Sequence, residues 1–357
     1  MNAFIKAIQR FTGRGEAAIT MPPMDGALRP NQLLEEARLV AEAPGPDNLV
    51  DTGADILFSS GRDLRSLKDG KVFRTFDAPV TALAASGDGR LAVGLQGVGV
   101  LLLDKDGGQS HPGQREAKNI TALAFDGNDL LVAEGSARHA SDQWKRDLME
   151  LGFDGEGSGS VWRFGADGSG RKLADRMRYP NGLLVDHEGR VVVSEAWNHR
   201  LIAVGDGKPK TLVGDLTGYP ARMALSERGV WLALFAPRSQ LIEFVLREPK
   251  YRKRMIAGMD PQYWVAPALA NGRSFLEPLQ GGAVKQMGVL KPWAPSRSYG
   301  LVVLLDRNYE PVLSLHSRAD GTRHGTTSVI EKDGALYVAS KGGDAVVTLK
   351  TAELAET

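Results

Sequence analysis

Pro180-Asn181-Gly182-Leu183-Leu184-Val185-Asp186-His187-Glu188-Gly189-Arg190-Val191-Val192-Val193-Ser194-Glu195 reads as one hairpin. A turn residue leads into a short apolar run. A Gly-bearing tight turn reverses the chain, and a second apolar run ends in a small or acidic residue. Val80-Thr81-Ala82-Leu83-Ala84-Ala85-Ser86-Gly87-Asp88-Gly89-Arg90-Leu91-Ala92-Val93-Gly94 repeats the pattern, and further copies begin near Asp47, Ile120, Ala221 and Thr326. A single hairpin cannot bury both of its faces. Hairpins recurring at about 40 residues bury them against one another as propeller blades. The expected fold is all-β, a six-bladed β-propeller.

The bulk properties fit one closed domain. The chain has 357 residues, 44 Lys and Arg against 43 Asp and Glu, 42 Gly and no Cys. A net charge of +1 gives no reason to expect nucleic acid or an anionic membrane as the main partner. Without Cys there is neither a disulfide framework nor thiol chemistry. No apolar run is long enough for an integral membrane segment. Residues 1–11 have an amphipathic pattern, with Phe4, Ile5, Ile8 and Phe11 on one face. They are expected to pack on the domain rather than anchor it to a membrane. The segment has no secretory signal pattern, so the default expectation is a cytoplasmic protein.

The layout follows from the repeats. Residues 1–35 form an N-terminal extension, 36–350 the propeller and 351–357 a tail. The lone strand at 36–43 is expected to complete the last blade, which removes two open sheet edges. Two blades are too long. One insertion spans about 135–159 and contains a helical stretch around Trp144. The other spans about 246–297 and opens on Arg247, Lys250, Arg252, Lys253 and Arg254, expected as a solvated helix face. Long insertions in a compact fold are often binding loops or lids.

Topology then locates a site. In a propeller the first strand of each blade lines the central channel, and the loop after the second strand returns to the same rim. The strand starts form a ring of Asp47, Val80, Ile120, Asn181, Ala221 and Thr326. The next positions are Asn48, Thr81, Thr121, Gly182, Arg222 and Thr327. The surrounding loops bring Glu134, His139, Glu195, Trp197, His199, Lys341 and Asp344. Polar groups converging on an apolar-walled mouth make the expected site for a small-molecule ligand or substrate.

Several of these stretches resemble the strictosidine synthase-like proteins. They are the segment from Trp144 to Phe164, Tyr179-Pro180-Asn181-Gly182 with Ser194-Glu195-Ala196-Trp197-Asn198-His199-Arg200, and Gly218-Tyr219-Pro220. Tyr299-Gly300-Leu301-Val302 and Ser314-Leu315-His316 fit as well, so the resemblance covers roughly 35–350. It implies a six-bladed propeller, more distantly related to the gluconolactonase/regucalcin and paraoxonase hydrolases. Those relatives are calcium-dependent lactonases and esterases, whereas the plant synthases join an amine to an aldehyde by Pictet–Spengler condensation.

The departures bear directly on chemistry. The synthases' catalytic Glu falls here on Thr327 or its neighbour Thr326, and a threonine cannot abstract a proton near neutral pH. Asp47 and Asn181 match two calcium ligands of the hydrolases. The fifth-blade acid is replaced by Ala221-Arg222, and Val80 and Ile120 offer no side-chain oxygen. Calcium takes ~6–8 oxygens, so the expected cofactor is none, or weakly bound calcium at Asp47 and Asn181. Arg222 is expected to stand where the metal stands in those relatives, paired with Asp47.

The candidates for catalysis are thus Asp47, Asn181, Arg222, Glu195 and His139, and those for substrate contact are Trp197, Thr326, Thr327 and Trp144. Blander readings stand beside them. Asn181-Gly182 also reads as a simple turn pair. Glu195 with Arg200 reads as a structural pair, and His139 as an ordinary loop histidine. The expected function is hydrolysis of a small ester or lactone at the channel mouth. The alternatives are non-catalytic binding of a small molecule, or a Pictet–Spengler-type synthase with a different base.

Overall fold

The computed structural model describes residues 21–114, 116–274, 276–278, 285–286, 289–290 and 297–355. The amphipathic pattern at 1–11 lies outside them. The described residues form six four-stranded antiparallel sheets and one two-stranded ribbon. Blade one starts at Asp47–Asp51, blade two at Val80–Ala85, blade three at Ile120–Asp126, blade four at Pro180–Val185, blade five at Gly218–Ser226 and blade six at Thr326–Lys332. Each of these strands pairs with the strand that follows it, so the six repeated hairpins are the inner halves of the blades.

Closure comes from the N-terminal strand. Arg38–Glu42 pairs antiparallel with Ala345–Lys350, with Leu39 opposite Val347, and so supplies the outer strand of blade six. The chain before it also has a place. Asn31 donates to the Ser314 carbonyl at 2.8 Å and accepts from the His316 backbone N–H at 3.0 Å. Residues 26–36 therefore cover the edge of blade five, whose outer strand is Pro311–His316.

Burial follows the repeats. The second strands, such as Val191–Glu195 and Leu91–Leu95, are buried along their whole length because each is flanked on both edges and covered on both faces. Hydroxyls bridge adjacent blades. Thr121 donates to the Pro180 carbonyl at 2.5 Å, and Ser194 to the Ala221 carbonyl at 2.7 Å. The Thr326 hydroxyl shares its one hydrogen between the carbonyls of Leu234 at 3.0 Å and Leu301 at 2.8 Å, and accepts from the Leu301 N–H at 3.1 Å. The Asn181-Gly182 pair is not a turn but lies within a strand. A Cβ on Gly182 would stand 2.3 Å from the Ala221 carbonyl oxygen and 2.8 Å from Ser194 Oγ. Glycine is required there by the close approach of the next blade, not by a reverse turn.

Both long blades carry helices between their second and third strands. Blade three carries Trp144–Leu151. Blade five carries Gln240–Arg247 and Pro249–Gly258, so its insertion begins before residue 246. Ser239 caps the first of these, its hydroxyl accepting from the Ile242 N–H at 3.2 Å. The basic stretch is not wholly solvated. Arg252 turns inward to the Met149 and Glu150 carbonyls near the end of Trp144–Leu151, where a cation is favoured. No helix among the described residues is long and apolar enough to cross a membrane.

Candidate functional site

A cavity of about 450 Å³ opens at the mouth of the channel. Its floor is made by the first strands of the blades and carries Asp47, Thr81, Thr121, Asn181, Arg222 and Thr327, with Lys341 entering from the loop after the second strand of blade six. One wall is aromatic and is built from Trp144, Tyr179, Trp197 and Phe235.

The floor is organised around Asp47, which is 4 % exposed. Its Oδ2 accepts from Lys341 Nζ at 2.9 Å, and its Oδ1 from the Asn48 backbone N–H at 2.8 Å. Arg222 Nη1 stands 3.5 Å from the same Oδ1. Arg222 Nη2 donates to the carbonyls of Thr81 at 2.8 Å and Thr121 at 3.2 Å. One side chain from blade five thus reaches blades one, two and three across the channel. The Thr327 hydroxyl faces Asp47 without reaching hydrogen-bond geometry. Burial alone would raise the Asp47 pKa. The charges of Arg222 and Lys341, with the Lys341 hydrogen bond, outweigh it and bring it down to about 2.

Below Arg222 the channel continues as a second, smaller cavity of about 60 Å³ lined by Asn48, Leu83, Leu123, Leu183 and Ser328. Asn48 holds φ of 53°, and Tyr179, at the turn into blade four, holds 63°. Non-glycine residues in this region are uncommon, and here they start two channel strands.

The aromatic wall is locked from behind. Tyr179 and Trp197 stack at 4.5 Å, and Trp144 meets Phe235 edge-on at 5.4 Å. Trp197 Nε1 donates to Asp147 Oδ2 at 2.8 Å. Asp147 is buried within the blade-three insertion, and its other oxygen also accepts from Ser136 at 2.5 Å. The insertion helix is thereby fixed to the wall that it helps to build.

The structure brings together Asp47, Asn181, Arg222, Trp197, Thr327 and Trp144 on this one cavity. Three candidates lie elsewhere. His139 sits between Asp147 and Glu150, its ring nitrogens 3.1 Å from each carboxylate. Glu195 accepts from the Arg178 backbone N–H at 2.7 Å and from Arg200 Nε at 2.6 Å, which is the structural pair. Glu134 does similar work in blade three, accepting from the Lys118 N–H at 3.0 Å. Thr326 is 1 % exposed and spent on bridging blades five and six. Lys341 was visible in the ring of loops but had no role from sequence. Its place directly after the second strand of blade six was the available signal.

Calcium does not fit this floor. Asp47 is the single carboxylate there, and both of its oxygens already face cations. Asn181 spends its Nδ2 on the Pro220 carbonyl at 3.1 Å and leaves one amide oxygen. Among the described residues no three His, Cys, Asp or Glu side chains group as a metal site.

Neither a family model nor a curated protein matches the chain. Solved structures do match it in fold. A gluconolactonase from Xanthomonas campestris aligns at 16 % identity over 93 % of this chain and 95 % of that one, with a TM-score of 0.54. Regucalcin from Agrobacterium tumefaciens, a calcium-binding protein, aligns at 11 % identity over 88 % and 92 %, also at 0.54. At such identities the likeness shows the six-bladed fold alone.

Proposed function

We propose that the channel mouth binds a small organic molecule without the help of a metal. The ligand presents an oxygen to Lys341 and lays its apolar body against Trp144, Tyr179, Trp197 and Phe235. The observation that carries this reading is the pair of fixed cations on Asp47, at 2.9 Å for Lys341 and 3.5 Å for Arg222, at the floor of an aromatic-walled cavity. Arg222 commits Nη2 to two carbonyls and turns Nη1 toward Asp47, and it is less exposed than Lys341. The Lys341 ammonium has three donors, Asp47 takes one, and the side chain is 39 % exposed. Lysine is thus the group that meets the ligand, and arginine the group that holds the floor.

Hydrolysis of an ester or lactone is the second reading. Lys341 would polarise the carbonyl, and Asp47 would hold the attacking water. The spare donors of Lys341 beside a buried carboxylate favour it, but a carboxylate with a pKa of about 2 is a feeble base. Binding therefore ranks first.

Calorimetric titration of aryl esters and lactones, run beside a pH-stat assay of the same compounds, tests both readings. Binding without turnover is expected. Lys341→Met should weaken it roughly 10-fold or more, the loss of one hydrogen bond to a charged group. Turnover that disappears in both Lys341→Met and Asp47→Asn would put hydrolysis first.

A further inference from the structure

Resting on that reading, we infer that the ligand is an organic monoanion: a carboxylate carried on a planar or cyclic apolar body. The charge count of the cavity leads there. Its charged lining residues are Asp47, Asp142, Arg222 and Lys341. Asp142 is exposed on the short turn Ser141–Gln143, on the insertion side of the mouth, where water screens it. The floor itself holds two cations and one anion, a surplus of one positive charge in a concave, largely apolar site.

A ligand charge of minus one balances this surplus. A neutral carbonyl leaves it in place, and a dianion overshoots it. A cationic ligand adds to it. Lys341 is partly solvated, so the surplus selects a monoanion by attraction within a concave site rather than by relief of a buried charge. The donors agree. Lys341 keeps two N–H groups beyond the one given to Asp47, and a carboxylate can take both. The body of the ligand is set by the opposite wall. Trp144 and Trp197 lie 6.3 Å apart with their planes 31° from parallel, and Tyr179 stacks behind Trp197. Such a wall suits a flat or ring-shaped apolar group.

The test uses the full chain and three probes that share one body: 3-phenylpropionate, its primary amide and its methyl ester. Binding is measured by calorimetry at pH 7 and low salt. The carboxylate is expected to bind at least 10-fold more tightly than either neutral probe, with an affinity that falls as salt rises. Lys341→Met should erase the preference, and Lys341→Arg should keep it. Lys341 is partly exposed, so both variants should fold, and their melting curves verify this. If the neutral probes bind as well as the acid, the anion class is wrong while the small-molecule site stands. If none of the three gives heat or raises the melting temperature, the inference and the reading beneath it both fall.

Discussion

Replacing Arg222 with Met should both loosen the propeller and change what its mouth tolerates. The substitution keeps the apolar stem and removes the guanidinium. Three contacts go: Asp47 at 3.5 Å, the Thr81 carbonyl at 2.8 Å and the Thr121 carbonyl at 3.2 Å. Removing one partner of a buried ion pair costs about 3–5 kcal/mol. Two features lower the figure here. Lys341 stays on Asp47 at 2.9 Å, and the freed carbonyls border cavities that can admit water. A loss of about 2–3 kcal/mol is the expectation, read from urea unfolding monitored by circular dichroism.

The same variant tests the metal argument. Two unit charges 4 Å apart interact by about 4 kcal/mol at an effective dielectric of 20, so a divalent ion beside the guanidinium faces about 8 kcal/mol of repulsion. Micromolar binding is worth about 8 kcal/mol, so the repulsion cancels it. The parent should give no heat with calcium chloride. Arg222→Met frees one Asp47 oxygen and two carbonyls, but Lys341 stays at 2.9 Å, so calcium binding by the variant should be weak at most. A stability change under about 0.5 kcal/mol would show that the arginine contacts do not hold the ring, since surface substitutions give as much. Tight calcium binding by the parent would overturn the electrostatic reasoning outright.

Asp47 should make stability fall in acid. Its pKa drops from 3.8 to about 2 on folding, which is worth roughly 2 kcal/mol. That stability is fully present above about pH 4 and is lost as pH falls through 2, so the acid limb of a stability–pH curve should flatten in Asp47→Asn. Trp197→Ala should cost about 3–5 kcal/mol in urea unfolding, because the ring is 4 % exposed and stacked within the wall. Thr326→Val should cost about 1–3 kcal/mol by removing one hydroxyl donor shared between two buried carbonyls and the acceptor of the Leu301 N–H, while Thr327→Val, whose hydroxyl has no partner, should cost far less. No condensation of tryptamine with an aldehyde is expected by product chromatography, since Thr327 lines the cavity where a base would be needed.

The architecture was legible because hairpin patterning is local, and six copies leave one way to bury all the faces. Even closure could be read, since the lone strand near Leu39 had no partner of its own and blade six lacked an outer strand. The helix Gln240–Arg247 was missed although its cap was in view. Ser239 precedes a run of Leu241, Ile242, Phe244, Val245 and Leu246 that continues the apolar character of the strand before it. Titratable residues misled for a different reason. His139 and Glu195 sit near the rim in sequence, but His139 spends both ring nitrogens on Asp147 and Glu150, and Glu195 is taken up by the Arg178 N–H and Arg200, which leaves little for a ligand.

The partnership at the floor shows where sequence reading stops. Asp47 and Arg222 could be paired in advance because Asp47 holds a ring position and Arg222 the position next to one, and such positions are a matter of counting turns. Lys341 could not, since it comes from outside the ring and meets Asp47 across 294 residues. Yet Lys341 determines the chemistry. With Arg222 alone the floor would be a neutral internal pair, closed on itself. The lysine turns it into a site with one surplus positive charge and spare donors facing an aromatic wall. The proposal of an anion at this mouth therefore rests on one side chain whose importance only the fold reveals.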